Sequence, residues 1–131
     1  MSASPAPALD AIAFQLAAAL EDYEQQVTAM VDTWLDMDLY HEVSEHIETI
    51  RMLSATLPQL GAPWVELLIA HAELVHSLWR LRFRDDAADR EKLQGVRARH
   101  TLAVQSLKAP CLGLLARGQQ AQGGAASAQA S

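Results

Sequence analysis

The stretch A-F-Q-L-A-A-A-L-E-D-Y-E-Q-Q-V-T-A-M-V-D-T-W, residues 13–34, decides the fold. Its apolar side chains recur at alternating intervals of three and four residues: Ala13, Leu16, Leu20, Tyr23, Val27, Met30 and Trp34. This spacing places all of them on one face of an α-helix. The sequence therefore predicts a first helix over residues 9–36.

The apolar pattern changes register in the segment D-M-D-L, residues 36–39. The first register would bury charged residues further along the chain, whereas a shifted one brings apolar residues inside: Tyr40, Val43, Ile47, Ile50 and Leu57. Asp36 or Asp38 suits the N-cap of a new helix over 38–57. No Gly or Pro marks the junction, so one continuous kinked helix is an open alternative.

The segment L-P-Q-L-G-A-P-W, residues 57–64, separates the second helix from a third over 63–84. Proline is well tolerated in the first turn of a helix, which suits Pro63. Along the third helix Leu67, His71, Leu74 and Leu78 share one face.

A fourth helix is predicted over residues 87–109, with Asp86 and Asp89 as capping residues and Pro110 as its end. Its inward face consists of Leu93, Val96, His100, Ala103 and Leu107. Short connections favour antiparallel neighbours. We therefore expect an all-α fold, an antiparallel four-helix bundle.

The bundle is expected to occupy residues 9–115 as a single domain. Residues 1–8 are rich in Pro, Ala and Ser, and residues 116–131 are of low complexity. Both composition types are typical of disordered segments, so we predict a disordered lead-in and a disordered tail. The single cysteine, Cys111, and the lack of a signal peptide or an apolar span predict a cytoplasmic protein with no membrane segment.

The formal net charge of −6 is distributed unevenly along the chain. Residues 1–50 contain ten acidic residues and no Lys or Arg, whereas the remainder has ten basic and six acidic residues. One interpretation is that the acidic and basic helices complement each other inside the bundle. The other is a basic face around R-L-R-F-R, residues 80–84, that recruits an acidic partner. The acidic residues among these bases argue against nucleic acid.

The spacing His-x4-His occurs twice, at His41 and His46 and at His71 and His76. Residues five apart on an α-helix differ in direction by about 140°, so neither pair can chelate one ion. Glu73 and His76 match the Glu-x-x-His motif of di-metal bundles, but His76 lies off the inward face. No metal site is predicted.

His71 and His100 are equidistant from the turn predicted at residues 85–86. In an antiparallel hairpin they lie at one level of the bundle, and the same folding brings Tyr23 and Glu24 to that level. We therefore predict a polar layer of His71 and His100, with Tyr23 or Glu24 as hydrogen-bond partners. The layer either satisfies its own polar atoms and sets helix register, or forms a small-ligand or pH-responsive pocket.

No catalytic constellation, phosphate loop or cofactor motif is present in the sequence, so neither an enzyme nor a cofactor is predicted. We expect a helical protein-interaction module, such as an adaptor, a regulator or a small acidic chaperone, that binds another protein or itself as a homodimer. The predicted contact residues are Trp79, Arg80, Arg82 and Arg84. The alternative is a ligand- or metal-sensing bundle that uses the layer of His71 and His100.

Overall fold

The computed structural model describes residues 5–84 and 86–130, with side chains placed for 9–84 and 86–118. This part of the chain is all-α, and it confirms the predicted four-helix bundle. Its helices are α1 (Pro5–Asp32), α2 (Met37–Ser54), α3 (Gly61–Phe83) and α4 (Ala87–Ala130). A single 3-10 turn, Pro58–Leu60, leads into α3.

Three helix pairs form the body of the bundle: α1 packs against α2, α3 against α4, and α1 against α4. The short helix α2 makes far fewer contacts with α3. The predicted inward residues of α1 and α4 are buried, with the exception of Trp34, and all the buried ones except His100 belong to one continuous apolar core. None of the described helices combines the length and the apolar composition that crossing a membrane requires.

The junction between the first two helices is a sharp turn, so α1 and α2 are separate helices. The Leu35 N–H donates to the carbonyl of Met30 at 2.8 Å and the Trp34 N–H to that of Val31 at 3.1 Å, which is the Schellman arrangement. The Asp36 carboxylate then accepts from two backbone N–H groups of the first turn of α2. Because this turn ends α1 at Asp32, the predicted end at residue 36 is wrong.

Trp34 and Leu35 adopt left-handed backbone conformations, with φ of 55° and 66°. Neither residue type favours this region, which costs roughly 1–2 kcal/mol per residue relative to right-handed geometry. Leu35 is fully buried, and its burial offsets this cost. Trp34, predicted on the inward face, is instead 49% exposed.

The fourth helix runs through Pro110, which corrects the prediction that proline ends it. Beyond Pro110, Cys111 is fully buried and Leu114 and Leu115 pack against the core. This burial outweighs the lost backbone hydrogen bond. The Asp10 carboxylate of α1 lies so close to Gly118 that a Cβ there would collide with it, which shows that the two helices stay together this far.

The composition of the two chain ends predicts disorder. Residues 1–4 and 131 lie outside the described residues, as do the side chains of 5–8 and 119–130. The backbone of α1 begins at Pro5, and that of α4 continues to Ala130. The disorder of the lead-in and tail stays a prediction.

Candidate functional site

A three-residue hydrogen-bonded cluster joins three helices in the middle of the bundle. Tyr23 of α1 is fully buried, and its Oη lies 2.8 Å from Nδ1 of His71 on α3 and 2.7 Å from Nε2 of His100 on α4. The tyrosine ring also contacts both imidazoles in tilted geometry, at centroid distances of 5.8 and 5.5 Å. The structure therefore brings together three of the four residues that the sequence assigned to a polar layer.

The number of protons on the Tyr23 hydroxyl limits which groups of the cluster donate hydrogen bonds and which accept them. A phenol has one proton to donate, so it donates to one imidazole nitrogen and accepts from the N–H of the other. Two neutral histidines satisfy this arrangement, and so does one neutral with one protonated histidine. If both imidazoles were protonated, both ring nitrogens would donate to the Tyr23 oxygen, and the tyrosine O–H would be left without an acceptor in the cluster.

Burial holds all three groups in their neutral forms. Desolvation lowers the pKa of His71 to about 4 and, together with the charges of His71 and Arg97, lowers the pKa of His100 to about 4. The same desolvation raises the pKa of Tyr23 well above its ordinary value. The cluster is therefore uncharged at neutral pH.

Glu24, the fourth predicted residue, lies beside the cluster and does not hydrogen bond to it. Its carboxylate is 3.6 Å from Nζ of Lys108, which is also 3.5 Å from the carboxylate of Glu21. Consecutive residues of a helix differ by about 100° in direction, so Tyr23 and Glu24 cannot both point inward.

A small cavity of about 60 Å³ adjoins the cluster between α1 and α4. Its polar walls come from Glu24, Thr28, Arg97, His100 and Thr101. The guanidinium of Arg97 and the hydroxyl of Thr101 have no hydrogen-bond or ion-pair partner within the described part of the chain. This space suits several waters or a very small polar molecule.

A second candidate site lies at the end of α3, where aromatic and basic residues meet. Trp79 stacks on Phe83 with a centroid distance of 5.5 Å and an interplanar angle of 10°. Trp79 is half-buried against the core, whereas Phe83 is 78% exposed. Together with His76 they line a depression of about 320 Å³.

The three arginines predicted as contact residues lie at this end but in different roles. Arg82 donates to the carbonyl of Leu35 at 2.8 Å, and its guanidinium lies 5.9 Å from the centre of the Trp79 ring. Arg80 lies 3.7 Å from the carboxylate of Asp89 on α4. Arg84 follows the end of α3 and is exposed.

The histidine spacing does not create a metal centre in the described residues, where no group of three or more His, Cys, Asp or Glu side chains could hold an ion. His76 is exposed and His71 is partly buried, so the two point in different directions. Cys111 is buried, its Sγ–H donates to the carbonyl of Leu107 at 3.5 Å, and burial raises the pKa of its thiol.

Sequence reasoning missed two aromatic features, the stacking of Phe83 on Trp79 and the exposure of Trp34. Phe83 lies four residues after Trp79, and this spacing is the sequence signal for a helical pair. The exposure of Trp34 has no local signal, because the 3-4 pattern continues through it while the backbone leaves the helix. Comparison with models of known protein families, with curated proteins and with solved structures finds no match for this chain.

Proposed function

We propose that this protein is a non-enzymatic protein-interaction module that uses the aromatic end of α3. The observation that carries the proposal is the stack of Trp79 and Phe83, in which a 78% exposed phenylalanine is held against a half-buried tryptophan. Aromatic residues dominate binding hot spots because they bury a large area with few rotatable bonds. An exposed pair of this kind marks a contact surface.

The stack is held in place before any partner binds. Arg82 lies over Trp79 and donates to Leu35, which ties the stack to the turn between α1 and α2. Fixing side chains in advance reduces the entropy lost on binding. Trp34, half-exposed in the same turn, lines a separate depression together with Arg82.

Charge supports a protein partner of mixed or acidic character. The aromatic stack is surrounded by arginines, whereas residues 1–50 carry only acidic charge. Such asymmetry sets orientation and association rate more than affinity. An adaptor, a regulator or a small acidic chaperone fits this description, and the single buried thiol fits a cytoplasmic setting.

A photo-crosslinking experiment tests the proposal directly. A photoreactive phenylalanine analogue placed at Phe83 of the full chain should give covalent protein adducts in the native cell. Phe14 offers a matched control, because it is also an exposed phenylalanine, at 66%, and lies in the first half of α1, away from the turn at Leu35. Adducts at position 83 but not at 14 support the proposal, and their absence at both positions contradicts it.

A second candidate function, the sensing of a very small polar ligand, is favoured by the cavity beside His100. Within the described residues the Arg97 guanidinium and the Thr101 hydroxyl have no hydrogen-bond or ion-pair partner, and the cavity adjoins the buried cluster at His100. The test is a thermal-shift series with formate, acetate and glycine on the parent chain and on Arg97→Gln. A stabilisation that the variant loses supports a ligand site, and no shift with any of the three contradicts it.

A further inference from the structure

Helix α3 carries a second, largely apolar stripe that faces away from the core. Its members are spaced alternately by four and three residues: Val65, Ile69, Ala72, His76, Trp79 and Phe83. All are exposed except Trp79, which is half-buried. Val65 and Ile69 are 49% and 56% exposed. This spacing is that of a helix-packing seam, and it extends over about 27 Å of the helix.

The inward face of the same helix is a separate set of residues. Its buried members are Leu67, Ala70, Leu74, Leu78 and Leu81. A helix with a single apolar stripe packs on one side, whereas a helix that is apolar on two sides is covered on both. Leu102 of α4, 67% exposed, widens the outer surface across a groove of about 310 Å³ beside Ile69.

The charges beside this outer seam change sign along the helix. Glu66 and Glu73 flank its first half, and Arg80 flanks its second half on the same side, since the three residues are seven apart. Arg82 and Arg84 add to the positive end. A helix with an acidic beginning and a basic end complements an antiparallel copy of itself.

We propose that a second copy of this chain packs on the outer seam, with the two α3 helices antiparallel about a two-fold axis that crosses the seam between Ala72 and His76. In this register Val65 faces Phe83 of the second copy, Ile69 faces its Trp79, and Ala72 faces its His76. Each layer pairs a smaller with a larger side chain, as dense packing requires. The interface is isologous, so every contact occurs twice.

The flanking charges fit the same register. In an antiparallel helix pair each flank meets the same flank of its partner, which places Glu66 opposite Arg80 of the second copy. The Arg80 side chain is 54% exposed although it lies 3.7 Å from Asp89, so it remains accessible to a second carboxylate. Glu73 meets its own copy near the axis, where the Arg99 guanidinium, 3.6 Å away in the same chain, offsets the like charges.

This inference rests on the proposed function, because the same aromatic residues form the end of the seam. It adds the identity of the partner, and the two proposals are separable by experiment. Sedimentation of the purified full chain over a concentration series should show a monomer–dimer equilibrium. A monomer at every concentration, together with adducts at position 83 to a different protein, overturns the dimer and leaves the proposed function standing.

A single substitution in the seam should weaken the dimer strongly. Ile69→Glu places two buried charges in the interface, one from each copy, and should raise the dissociation constant by about a hundredfold or more. Met52→Glu is the matched control, since Met52 is 61% exposed on α2 and lies outside the seam. Equal effects of the two variants would overturn the proposal.

A charge exchange tests the antiparallel register and the identity of the partner together. Glu66→Lys alone and Arg80→Glu alone should each weaken the dimer on the order of tenfold, since each turns two attractive pairs into repulsive ones. An equimolar mixture of the two variants restores both pairs and should form heterodimers as tight as the parent dimer. Failure of the mixture to associate, with both variants folded by circular dichroism, would overturn the register.

Discussion

The Tyr23 hydroxyl lies 2.7 Å from Nε2 of His100, and this contact joins α1 to α4 at the centre of the bundle. The same oxygen reaches Nδ1 of His71 on α3 at 2.8 Å, so one buried atom connects three of the four helices. Replacement of Tyr23 by Phe keeps the ring and removes only this oxygen. The imidazoles of His71 and His100 then each lose a hydrogen-bond partner.

We expect Tyr23→Phe to lower the free energy of unfolding by about 1–3 kcal/mol, because a buried polar group without a partner keeps its full desolvation cost. Urea denaturation of the parent and variant chains measures the change. Tyr40→Phe is the control, since Tyr40 is only partly buried and stacks edge-on against His41. A Tyr23→Phe variant as stable as the Tyr40→Phe variant would show that the cluster contributes nothing to stability.

Acidification is expected to destabilise the bundle through the two histidines. Their folded pKa values are lowered to about 4 from 6.5, so between these pH values the unfolded chain binds more protons than the folded one. Stability therefore rises with pH in this window, and the contribution of the pair is lost as pH falls from 6.5 to 4. The loss should amount to a few kcal/mol. The neutral hydroxyl of Tyr23 faces both rings, and the charged side chains of Arg97 and Glu24 lie beside His100.

The measurement is urea unfolding from pH 4 to 8. The comparison chain combines Tyr23→Phe with His71→Leu and His100→Leu, which removes both titrating rings without leaving an unpaired hydroxyl. Its free energy of unfolding should fall less steeply between pH 6.5 and 4 than that of the parent. Carboxylates outside the cluster titrate in both chains, so only the difference in slope matters. Identical slopes would exclude the histidine pair as the cause.

The left-handed backbone at Trp34 predicts that a glycine variant is more stable than an alanine variant, which is the opposite of the order inside a helix. At φ of 55° glycine has no Cβ to strain, so Trp34→Gly should be more stable than Trp34→Ala by about 1 kcal/mol. Inside a helix the order is the reverse, and the pair Thr28→Gly and Thr28→Ala on α1 provides that reference. Thermal unfolding of the four variants measures both differences. Alanine more stable than glycine at both positions would contradict the left-handed turn.

Replacement of Pro110, which lies within α4, is expected to stabilise the protein. Proline within a helix lacks the N–H that would donate to the carbonyl four residues earlier, so Pro110→Ala should raise the free energy of unfolding by about 1–3 kcal/mol. Pro63→Ala is the control, because Pro63 lies in the first turn of α3, where that N–H has no helical acceptor. A larger gain at Pro63 than at Pro110 would show that α4 does not continue as a regular helix past Pro110.

Helix periodicity predicted the inward faces because it is a local property of the chain. The alternation of three and four residues placed Leu16, Leu20 and Tyr23 inside α1, and the structure buries all three. The equal distances of His71 and His100 from one turn placed them at the same level, since antiparallel helices rise equally per residue. Asp36 was a capping candidate by residue type, and it accepts two backbone hydrogen bonds.

Local patterns failed where distant contacts outweigh residue preferences. Pro110 is a helix breaker in isolation, yet the burial of Cys111 holds α4 in line beyond it. Trp34 continues the apolar spacing, yet the burial of Leu35 draws the chain into a left-handed turn that leaves Trp34 half-exposed.

The sequence by itself determined the helices, their inward faces and the level at which two histidines meet, because these follow from the period of the α-helix and the lengths of the turns. The tertiary structure alone decided that Tyr23, and not Glu24, bonds both histidines, and that α3 keeps a second apolar stripe in solvent. Which side of a helix is covered depends on where its neighbours lie. The free energy of burial, unlike helical periodicity, is set by residues distant in the chain.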